Sequence, residues 1–331
     1  MEVMDNKSKF WNDKSVFITG YEGFLGSNLT KTLLDYGAKI WGLDIITHRK
    51  TTLLSDRELN KIKIIRGNVI NFSLISEIIE KNNIEFIFHL AAETLVGKCN
   101  KNPLKAFSTN IKGTWNILEA SRNSNSVKAI VVASSDKAYG TPKELPYKEK
   151  SPLSGCHPYD VSKSCTDLLA HAYFCTYHLP VCITRCGNIY GPGDFNFSRI
   201  VPDTIRSALR GETLIIRSDG KFTRDYNYVD DIVEGYLLLA QKMESLRLYG
   251  EAFNFSNESP MSVLKLVKII SKILGQNKAN YRITNIVKNE IKHQYLSSEK
   301  AYKILKWSPQ YTLEAGLKKT IEWYNYYMRR K

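Results

Sequence analysis

Short apolar runs alternate with longer amphipathic stretches between residues 15 and 187 of this chain. The runs have the length of strands and are almost continuously apolar, which is typical of strands buried on both faces. Apolar residues at helical spacing mark the stretches between them. Because parallel strands need right-handed helical crossovers, the alternation predicts an α/β fold with a doubly wound parallel sheet of the Rossmann type.

The predicted elements can be placed by number. The strand-like runs lie at 15–20, 38–44, 62–67, 84–92, 128–134 and 180–187. The helical stretches lie near 24–36, 73–81, 103–123 and 158–178. Beyond residue 190 the pattern loosens, and residues 313–330 close the chain as an amphipathic helix. We predict a cofactor-binding Rossmann domain over 13–187 and a smaller C-terminal substrate lobe over 188–331, with chain crossings between them.

Composition excludes several other classes of protein. The 331 residues are 43% hydrophobic and 24% charged, as in ordinary soluble domains, and no run has the length of a membrane helix. The first residues are polar and contain no apolar signal segment, so we expect a cytoplasmic protein without a membrane partner. The six cysteines form no CxxC pair and no zinc-like cluster with histidine, so we expect free thiols and no metal.

The net charge of +14 raises the question of a nucleic-acid partner. The lysines are spread along the chain, however, and none of them stand in a run of five. Basic residues on solvated faces account for this distribution, and a basic cleft for a phosphorylated small molecule is compatible with it. We therefore expect no nucleic acid, and a non-catalytic, nucleic-acid-binding protein remains as a remote alternative.

A glycine-rich turn follows the first predicted strand and opens a helix. Gly20, Gly23 and Gly26 stand in ITGYEGFLGSNL, where they allow a tight turn and a close approach of a pyrophosphate to a helix N-terminus. Asp44 ends the second strand, where a carboxylate accepts hydrogen bonds from ribose hydroxyls and repels a 2′-phosphate. The pattern predicts NAD as the cofactor. NADP stays an alternative because two basic side chains closely follow Asp44.

Two polar groups suggest chemistry at the carboxyl end of the sheet. Tyr159 and Lys163 are four residues apart on a predicted helix and share one face. An ammonium beside a phenol lowers the phenol's pKa, and the phenolate can take a hydroxyl proton while a hydride leaves for nicotinamide. Ser135, Asp136 and Lys137 follow the fifth strand. The last two can supply an acid and a base, or they can form an inert ion pair.

In combination these motifs resemble the extended short-chain dehydrogenase/reductases. The resemblance is carried by the glycine turn, the fifth-strand serine, YxxxK, HLAA at 89–92 and TNIKGTWNILEA at 109–120. RCGNIYGPGD at 185–194 and RDYNYVDDI at 224–232 are similar to the members that modify nucleotide sugars. SDK at 135–137 resembles the nucleotide-sugar 4,6-dehydratases, and the CDP-glucose enzymes in particular.

The resemblance implies NAD-dependent dehydration of a nucleotide-diphosphate hexose, most closely CDP-glucose, to the 4-keto-6-deoxy sugar nucleotide. It assigns oxidation at C4 to the tyrosine, lysine and serine, and elimination to Asp136 as acid and Lys137 as base. Two features depart from the CDP-glucose enzymes. Glu93 stands where they have glutamine, and TRDYNYVDD is closer to the dTDP-sugar enzymes. A 4-epimerase or a 4-dehydrogenase on the same scaffold is the alternative.

Further site residues and a partner come with the resemblance. Cofactor contacts are implied at Gly20, Gly23, Phe24, Leu25, Gly26, Asp44, Asn68, Val69, Leu90, Ala91, Ala92, Ser134, Tyr159 and Lys163. Substrate contacts are implied at Glu93, Asn188, Arg199, Arg217 and Arg224, with exposed salt bridges as the alternative for the arginines. Related enzymes pair the helices near 103–123 and 158–178 across a two-fold axis, which implies a homodimer. The residues expected to face the second copy are Trp115, Ile117, Leu118, Leu168, Leu169, Tyr173 and Phe174.

Overall fold

The computed structural model describes residues 2–141, 144–276, 279–286 and 290–329. The strands are β1 (Ser15–Thr19), β2 (Lys39–Asp44), β3 (Ile62–Arg66), β4 (Phe86–His89), β5 (Ala129–Ala133), β6 (Val181–Cys186), β7 (Asn188–Tyr190), β8 (Leu214–Ile216), β9 (Thr223–Arg224), β10 (Tyr226–Tyr228), β11 (Ala252–Phe255), β12 (Met261–Ser262), β13 (Tyr281–Ile283) and β14 (His293–Gln294).

The α-helices are α1 (Glu2–Trp11), α2 (Phe24–Asp35), α3 (Asp56–Leu59), α4 (Phe72–Lys81), α5 (Val96–Lys101), α6 (Pro103–Phe107), α7 (Gly113–Arg122), α8 (Pro158–Tyr177), α9 (Ile200–Arg210), α10 (Val229–Lys242), α11 (Val263–Ile273) and α12 (Leu313–Arg329). Two π-helical turns cover Ser108–Lys112 and Ala301–Leu305, and a 3₁₀ turn covers Asp136–Tyr139. Among the described residues, no helix is both long enough and apolar enough to cross a membrane.

A seven-stranded sheet runs in the order β11-β6-β5-β4-β1-β2-β3. Neighbouring strands from β1 to β6 pair in parallel. The order reverses between β1 and β4, and doubly wound sheets bind ligands at the carboxyl ends of strands at such a point. The predicted doubly wound parallel sheet is confirmed. The sequence pattern does not reveal β11, because its four residues are too short a run to signal a strand.

The core packs helices onto both faces of this sheet. Fully buried apolar residues of the strands, such as Phe17, Ile87 and Ile130, form one cluster with Ile117 and Leu118 of α7. Those two helix residues point into the core, so the expectation that they face a second copy is wrong. Both side chains are covered because α7 packs against α4 and α8 as well as against the sheet. Trp115 and Leu168, in contrast, are 41% and 59% exposed.

The predicted elements match observed ones, but α3, α5 and β11 are not predicted, and three further differences concern the bounds or the presence of an element. The predicted helix over 103–123 consists of α6, the π-helical turn and α7. The fourth strand ends at His89 instead of residue 92, since the chain turns there towards the end of β1. Helix α1 precedes β1 and buries Trp11 completely, although this polar segment gives no clear helical signal. The predicted last helix is α12, and its final predicted residue, 330, lies outside the described residues.

The chain divides into two compact units. The first comprises Met1–Thr141, Glu149–Arg185 and Val233–Phe253, and the second comprises Pro142–Lys148, Cys186–Ile232 and Asn254–Lys331. The chain therefore leaves the first unit after residue 185, two residues before the predicted boundary, and returns to it for 233–253. The second unit contains α9, α11, α12 and three small sheets. The assignment of the units to cofactor and substrate stays a prediction.

Candidate active site

The glycine turn between β1 and α2 forms a narrow cradle. Helix α2 begins after Gly23, whose position has no side-chain cap, and the positive end of the helix dipole there favours an anionic group. A Cβ on Gly26 would lie 2.0 Å from the carbonyl oxygen of Gly20. Gly20 has a φ of +74°, and a Cβ there would lie 3.1 Å from the backbone of Ala91. Only glycines permit this close packing, and the cradle fits the pyrophosphate of a dinucleotide.

A buried hydrogen-bond chain fixes the edge of this cradle. The hydroxyl of Thr19 accepts from the backbone N–H groups of Leu90 and Ala91, both at 3.2 Å, and therefore donates to His89 Nδ1 at 2.8 Å. His89 Nε2 then donates to the Thr114 hydroxyl at 3.2 Å. Burial lowers the pKa of His89 to about 3, so the imidazole is neutral. The HLAA motif contains this histidine, but nothing in the sequence reveals its role.

Asp44 is buried at the end of β2 and forms an ion pair with Arg49. Its Oδ1 accepts from Arg49 Nη2 at 2.5 Å. Glu22, within the glycine turn, is 1% exposed and accepts from the N–H groups of His48 and Arg49 and from the hydroxyl of Tyr21. The buried carboxylate thus holds the loop that brings the guanidinium onto Asp44. The sequence reasoning missed Glu22, whose partners lie 26 and 27 residues further along the chain.

The other predicted cofactor residues surround the cradle. Phe24 and Leu25 are half-buried in the first turn of α2, and Leu90, Ala91 and Ala92 are half-buried after β4. Asn68 Oδ1 accepts from a backbone N–H two residues on, at 3.2 Å. Val69 is 4% exposed and packs in the core, while its carbonyl accepts from Asn116 at 2.9 Å. The roles of these residues towards NAD stay predictions.

Tyr159 and Lys163 lie one turn apart on α8. Lys163 is 5% exposed, and its Nζ donates to the carbonyl oxygen of Ala133 at 2.7 Å. Burial lowers the pKa of Lys163 to about 8, and the negative charge of Asp167 limits the fall. Tyr159 is half-buried. The carbonyl of β5 therefore holds the lysine on the helix face that carries the tyrosine.

The Ser-Asp-Lys segment forms an ordered turn at the end of β5. Ser135 precedes the 3₁₀ turn, and its hydroxyl accepts from the N–H of Lys137 at 3.2 Å and donates to Asp136 Oδ1 at 2.9 Å. Asp136 is 6% exposed and Lys137 is half-buried. Burial raises the pKa of Asp160, and the positive charge of Lys137 opposes this rise. Asp160, which follows Tyr159, is thus an acidic neighbour of Lys137 that sequence reasoning missed.

Ser134 and Glu93 are the remaining predicted site residues of the first unit. The hydroxyl of Ser134 donates to Asp167, so a cofactor could use only its lone pairs. The N–H of Glu93 donates to Asn110 Oδ1 at 2.8 Å, and Asn110 Nδ2 donates back to the Glu93 carbonyl at 3.1 Å. Asn110 is buried in the first π-helical turn, a feature often found at functional sites. The Glu93 carboxylate pairs with Lys105 at 3.0 Å.

Three of the predicted substrate residues of the second unit are accessible. Asn188 is exposed on β7, and its amide nitrogen lies 3.4 Å from a main-chain carbonyl. Arg199 is half-buried and pairs through Nη1 with the buried Asp194 at 3.3 Å. Arg217 is exposed and donates to the carbonyl of Ser198 at 3.0 Å. Their roles towards a sugar nucleotide stay predictions.

Arg224 is placed differently from the other three. It is 7% exposed, and its guanidinium donates to the carbonyl oxygens of Thr223 at 2.8 Å, Lys292 at 3.0 Å and Ile291 at 2.5 Å. Glu290 lies 3.7 Å away. In this conformation the side chain fastens β9 to the segment before β14. Its predicted contact with a diphosphate would use only the donors that these carbonyls leave over.

Comparison of the chain with known proteins identifies its family. A family model described as GDP-mannose 4,6 dehydratase matches residues 17–320. The chain belongs to this family. The predicted relationship to nucleotide-sugar 4,6-dehydratases is therefore confirmed at the level of the family.

Two relatives illustrate the range of similarity. The CDP-glucose 4,6-dehydratase of Salmonella typhimurium is 29% identical, over 97% of this chain and 93% of the relative. A trifunctional UDP-glucose 4,6-dehydratase, UDP-4-keto-6-deoxy-D-glucose 3,5-epimerase and UDP-4-keto-L-rhamnose reductase of Arabidopsis thaliana is 30% identical, over 95% of this chain. The chain covers 47% of that relative and thus spans about half of its length.

Two solved structures resemble the fold closely. The dTDP-glucose 4,6-dehydratase of Bacillus anthracis, in complex with NAD, gives a TM-score of 0.84 at 28% identity, covering 95% of this chain and 97% of that chain. The UDP-glucose 4-epimerase of Thermotoga maritima, with UDP-glucose, gives 0.85 at 27% identity, covering 95% and 99%. Dehydratases and epimerases thus share this fold.

Proposed function

We propose that the protein is an NAD-dependent 4,6-dehydratase of a nucleotide-diphosphate hexose. The observation that carries the proposal is the turn over Asp136–Tyr139, which sets the buried carboxyl group of Asp136 and the half-buried amino group of Lys137 at the end of β5. Oxidation at C4 needs Tyr159, Lys163 and the Ser135 hydroxyl but neither of these two groups. Elimination of the C6 hydroxyl needs both a base and an acid.

The cofactor site supports the first step. NAD, when bound, accepts the C4 hydride and later returns it to C6, so there is no net consumption. The glycine cradle and α2 would hold the pyrophosphate, and Asp44 would accept from the adenosine ribose. Tyr159, as the phenolate stabilised by Lys163, takes the O4 proton, and the Ser135 hydroxyl is a second hydrogen-bond partner for O4. The NAD complex of the dTDP-glucose relative supports the choice of cofactor.

The elimination uses the turn. A ketone at C4 makes the C5 proton acidic, and Lys137 as the free amine takes it. Asp136 as the acid protonates the C6 hydroxyl, which leaves as water. After hydride reaches C6, Lys137 returns its proton to C5. Over the whole cycle Tyr159 gains one proton and Asp136 loses one. Exchange of protons with solvent therefore returns both side chains to their starting states.

The base of the substrate is proposed from the resemblance alone. SDK favours CDP-glucose, and the matching relative from Salmonella typhimurium carries that name. The second candidate function is 4-epimerisation, favoured by the close structural match to the UDP-glucose 4-epimerase. In that reaction Tyr159 and Lys163 would act in the same way, while Asp136 and Lys137 would only contact the sugar.

A second copy of the chain is the proposed macromolecular partner. Trp115 of α7 and Leu168 of α8 are exposed apolar side chains on the two helices expected to pair. Leu169, Tyr173 and Phe174 are only partly buried against the core and could be covered further. An isologous contact through this face would give a homodimer. The six free cysteines support a reducing compartment, and we propose the cytoplasm.

The test separates oxidation from elimination. Lys137→Ala and Asp136→Asn should keep the oxidation of C4 and stall the dehydration, because Tyr159, Lys163 and Ser135 are unchanged. Reduced nicotinamide should then accumulate in a single turnover, with dehydration slowed about 10²–10⁴-fold. Tyr159→Phe should block the initial hydride transfer and give no signal from reduced nicotinamide.

Lys128→Ala, which removes an exposed lysine just before β5, is the matched control and should behave as wild type. Full turnover by both charge-removing variants would refute the proposed elimination and favour the epimerase. Loss of substrate binding without a change in the rate of the chemical step would show that Asp136 and Lys137 bind the sugar and take no part in the chemistry.

A further inference from the structure

A buried ion pair lies beside the catalytic face of α8. Asp167 stands one turn beyond Lys163, and it is 2% exposed. Arg185, near the end of β6, is 6% exposed and donates to Asp167 Oδ1 from Nε at 2.8 Å and from Nη2 at 2.7 Å. Burial raises the pKa of Asp167, and the charge of Arg185 opposes the rise and favours the carboxylate. Neither residue has a role in the proposed reaction.

The pair is connected to the segment that carries the acid and the base. Asp167 accepts from the hydroxyl of Ser134, at the start of SSDK. Arg185 Nη1 donates to the hydroxyl of Tyr139 at 2.8 Å, and its guanidinium lies 4.9 Å from the centre of that ring. Tyr139 is the last residue of the 3₁₀ turn. One ion pair thus contacts both ends of the segment over 134–139.

Asp167 follows Lys163 by four residues on α8, so the two side chains share one face of the helix and the carboxylate acts on the ammonium. Among the described residues, Cys99 of α5 and His89 of β4 also interact with Lys163, and Tyr159 lies one turn before it on α8. Burial keeps the imidazole of His89 neutral, and burial raises the pKa of the Cys99 thiol, so the thiol is uncharged at neutral pH. Asp167 is therefore the anion that favours a charged Lys163 at neutral pH.

We propose that Asp167 is a positioning residue that keeps Lys163 protonated beside Tyr159, and that Arg185 holds Asp167 in place as the carboxylate. The inference rests on the proposed function only in one respect, that the Tyr159 phenolate is used in the reaction. The effect of the Asp167 carboxylate on the Lys163 ammonium does not require a substrate. A merely structural ion pair would stabilise the unit without influencing the proton of Lys163.

Two variants of Asp167 give different expectations. Asp167→Asn removes the anion and leaves the guanidinium, so Lys163 should lose its proton at a lower pH, with a proton affinity reduced about tenfold or more. Asp167→Glu keeps the negative charge, so Lys163 should keep the wild-type midpoint. Both variants disturb the buried pair with Arg185 and should lower the urea midpoint, so an effect on stability alone cannot shift the Lys163 midpoint in only one of them.

The measurement is an NMR titration of the Lys163 side chain in protein labelled with ¹³C-lysine, assigned with Lys163→Met. A lower Lys163 midpoint in Asp167→Asn, with a wild-type midpoint in Asp167→Glu, is the expected result. An unchanged Lys163 midpoint in folded Asp167→Asn would overturn the proposal, and so would equal shifts in the two variants.

If Asp167→Asn does not fold, the double variant Asp167→Asn, Arg185→Gln removes both charges of the pair and serves instead. Its Lys163 midpoint should lie below the wild-type value, because the Asp167 anion raises the proton affinity of the ammonium. A wild-type midpoint in the double variant would overturn the proposal. Since no sugar nucleotide enters the titration, failure of the proposed dehydration would leave this outcome unaffected.

Discussion

Keeping the buried Lys163 charged should destabilise the folded protein at neutral pH, and the variant Lys163→Met should show how much free energy of unfolding this costs. The folded-state pKa of Lys163 is about 8 because of burial, against 10.5 for the free side chain. Holding the buried ammonium charged at pH 7 therefore costs about 3 kcal/mol, since one pKa unit is worth about 1.4 kcal/mol. Lys163→Met would lose the hydrogen bond to the Ala133 carbonyl, worth about 1 kcal/mol. The net expectation is a gain of about 2 kcal/mol at pH 7 with loss of activity.

The sign of the pH dependence makes this prediction specific. The unfolded chain binds the lysine proton more tightly, so wild-type stability rises with pH between about 8 and 10.5 through this group. The advantage of Lys163→Met should therefore shrink to a few tenths of a kcal/mol by about pH 9.5. Urea unfolding of the first unit at several pH values measures this, with Lys61→Met as the exposed-lysine control. A variant that is no more stable than wild type at pH 7, or a gain independent of pH, would refute the reasoning.

Other groups and surfaces give further expectations. Burial lowers the pKa of His89 to about 3, so the unfolded chain binds the proton first and the free energy of unfolding falls as the pH drops below about 6.5. His89→Gln should remove about 2 kcal/mol of the loss between pH 6.5 and 5, measured by urea unfolding. Purified protein should release close to one NAD or NADH per chain on acid denaturation, because each turnover returns the hydride; fully apo protein would count against that cycle. Light scattering at micromolar concentration should give a dimer, and Leu168→Glu should give a monomer; a monomeric wild type contradicts the helix pairing.

Much of the first unit follows from local patterns. Buried parallel strands are apolar throughout, so β1 to β6 can be read from the sequence. The glycine turn and YxxxK can be read too, since their spacing reflects a tight loop and one face of a helix. These signals lie within short windows. The sequence therefore predicts which edge of the sheet carries the site.

The partners of the site residues are harder to predict. Glu22, Asp160, Asp167 and His89 act through contacts that depend on the packing of distant segments, such as Arg185 on Asp167. Some of them lie within motifs that the sequence reveals, but the sequence does not show which distant groups they contact. Arg224 shows a different limit of the sequence. A motif identifies this arginine as a candidate site residue but does not reveal that backbone carbonyls bind its guanidinium.

The most direct test of the proposed function is the mass of the product. The protein would be incubated with a panel of nucleotide-diphosphate hexoses that includes CDP-, dTDP-, UDP- and GDP-linked sugars, and each sugar nucleotide would be analysed by mass spectrometry. Dehydration predicts a product lighter by one water, with CDP-glucose converted first and no net change in NAD. A product of unchanged mass would show an epimerase, and a product lighter by two hydrogens would show a dehydrogenase. Either result would contradict the proposed roles of Asp136 as the acid and Lys137 as the base.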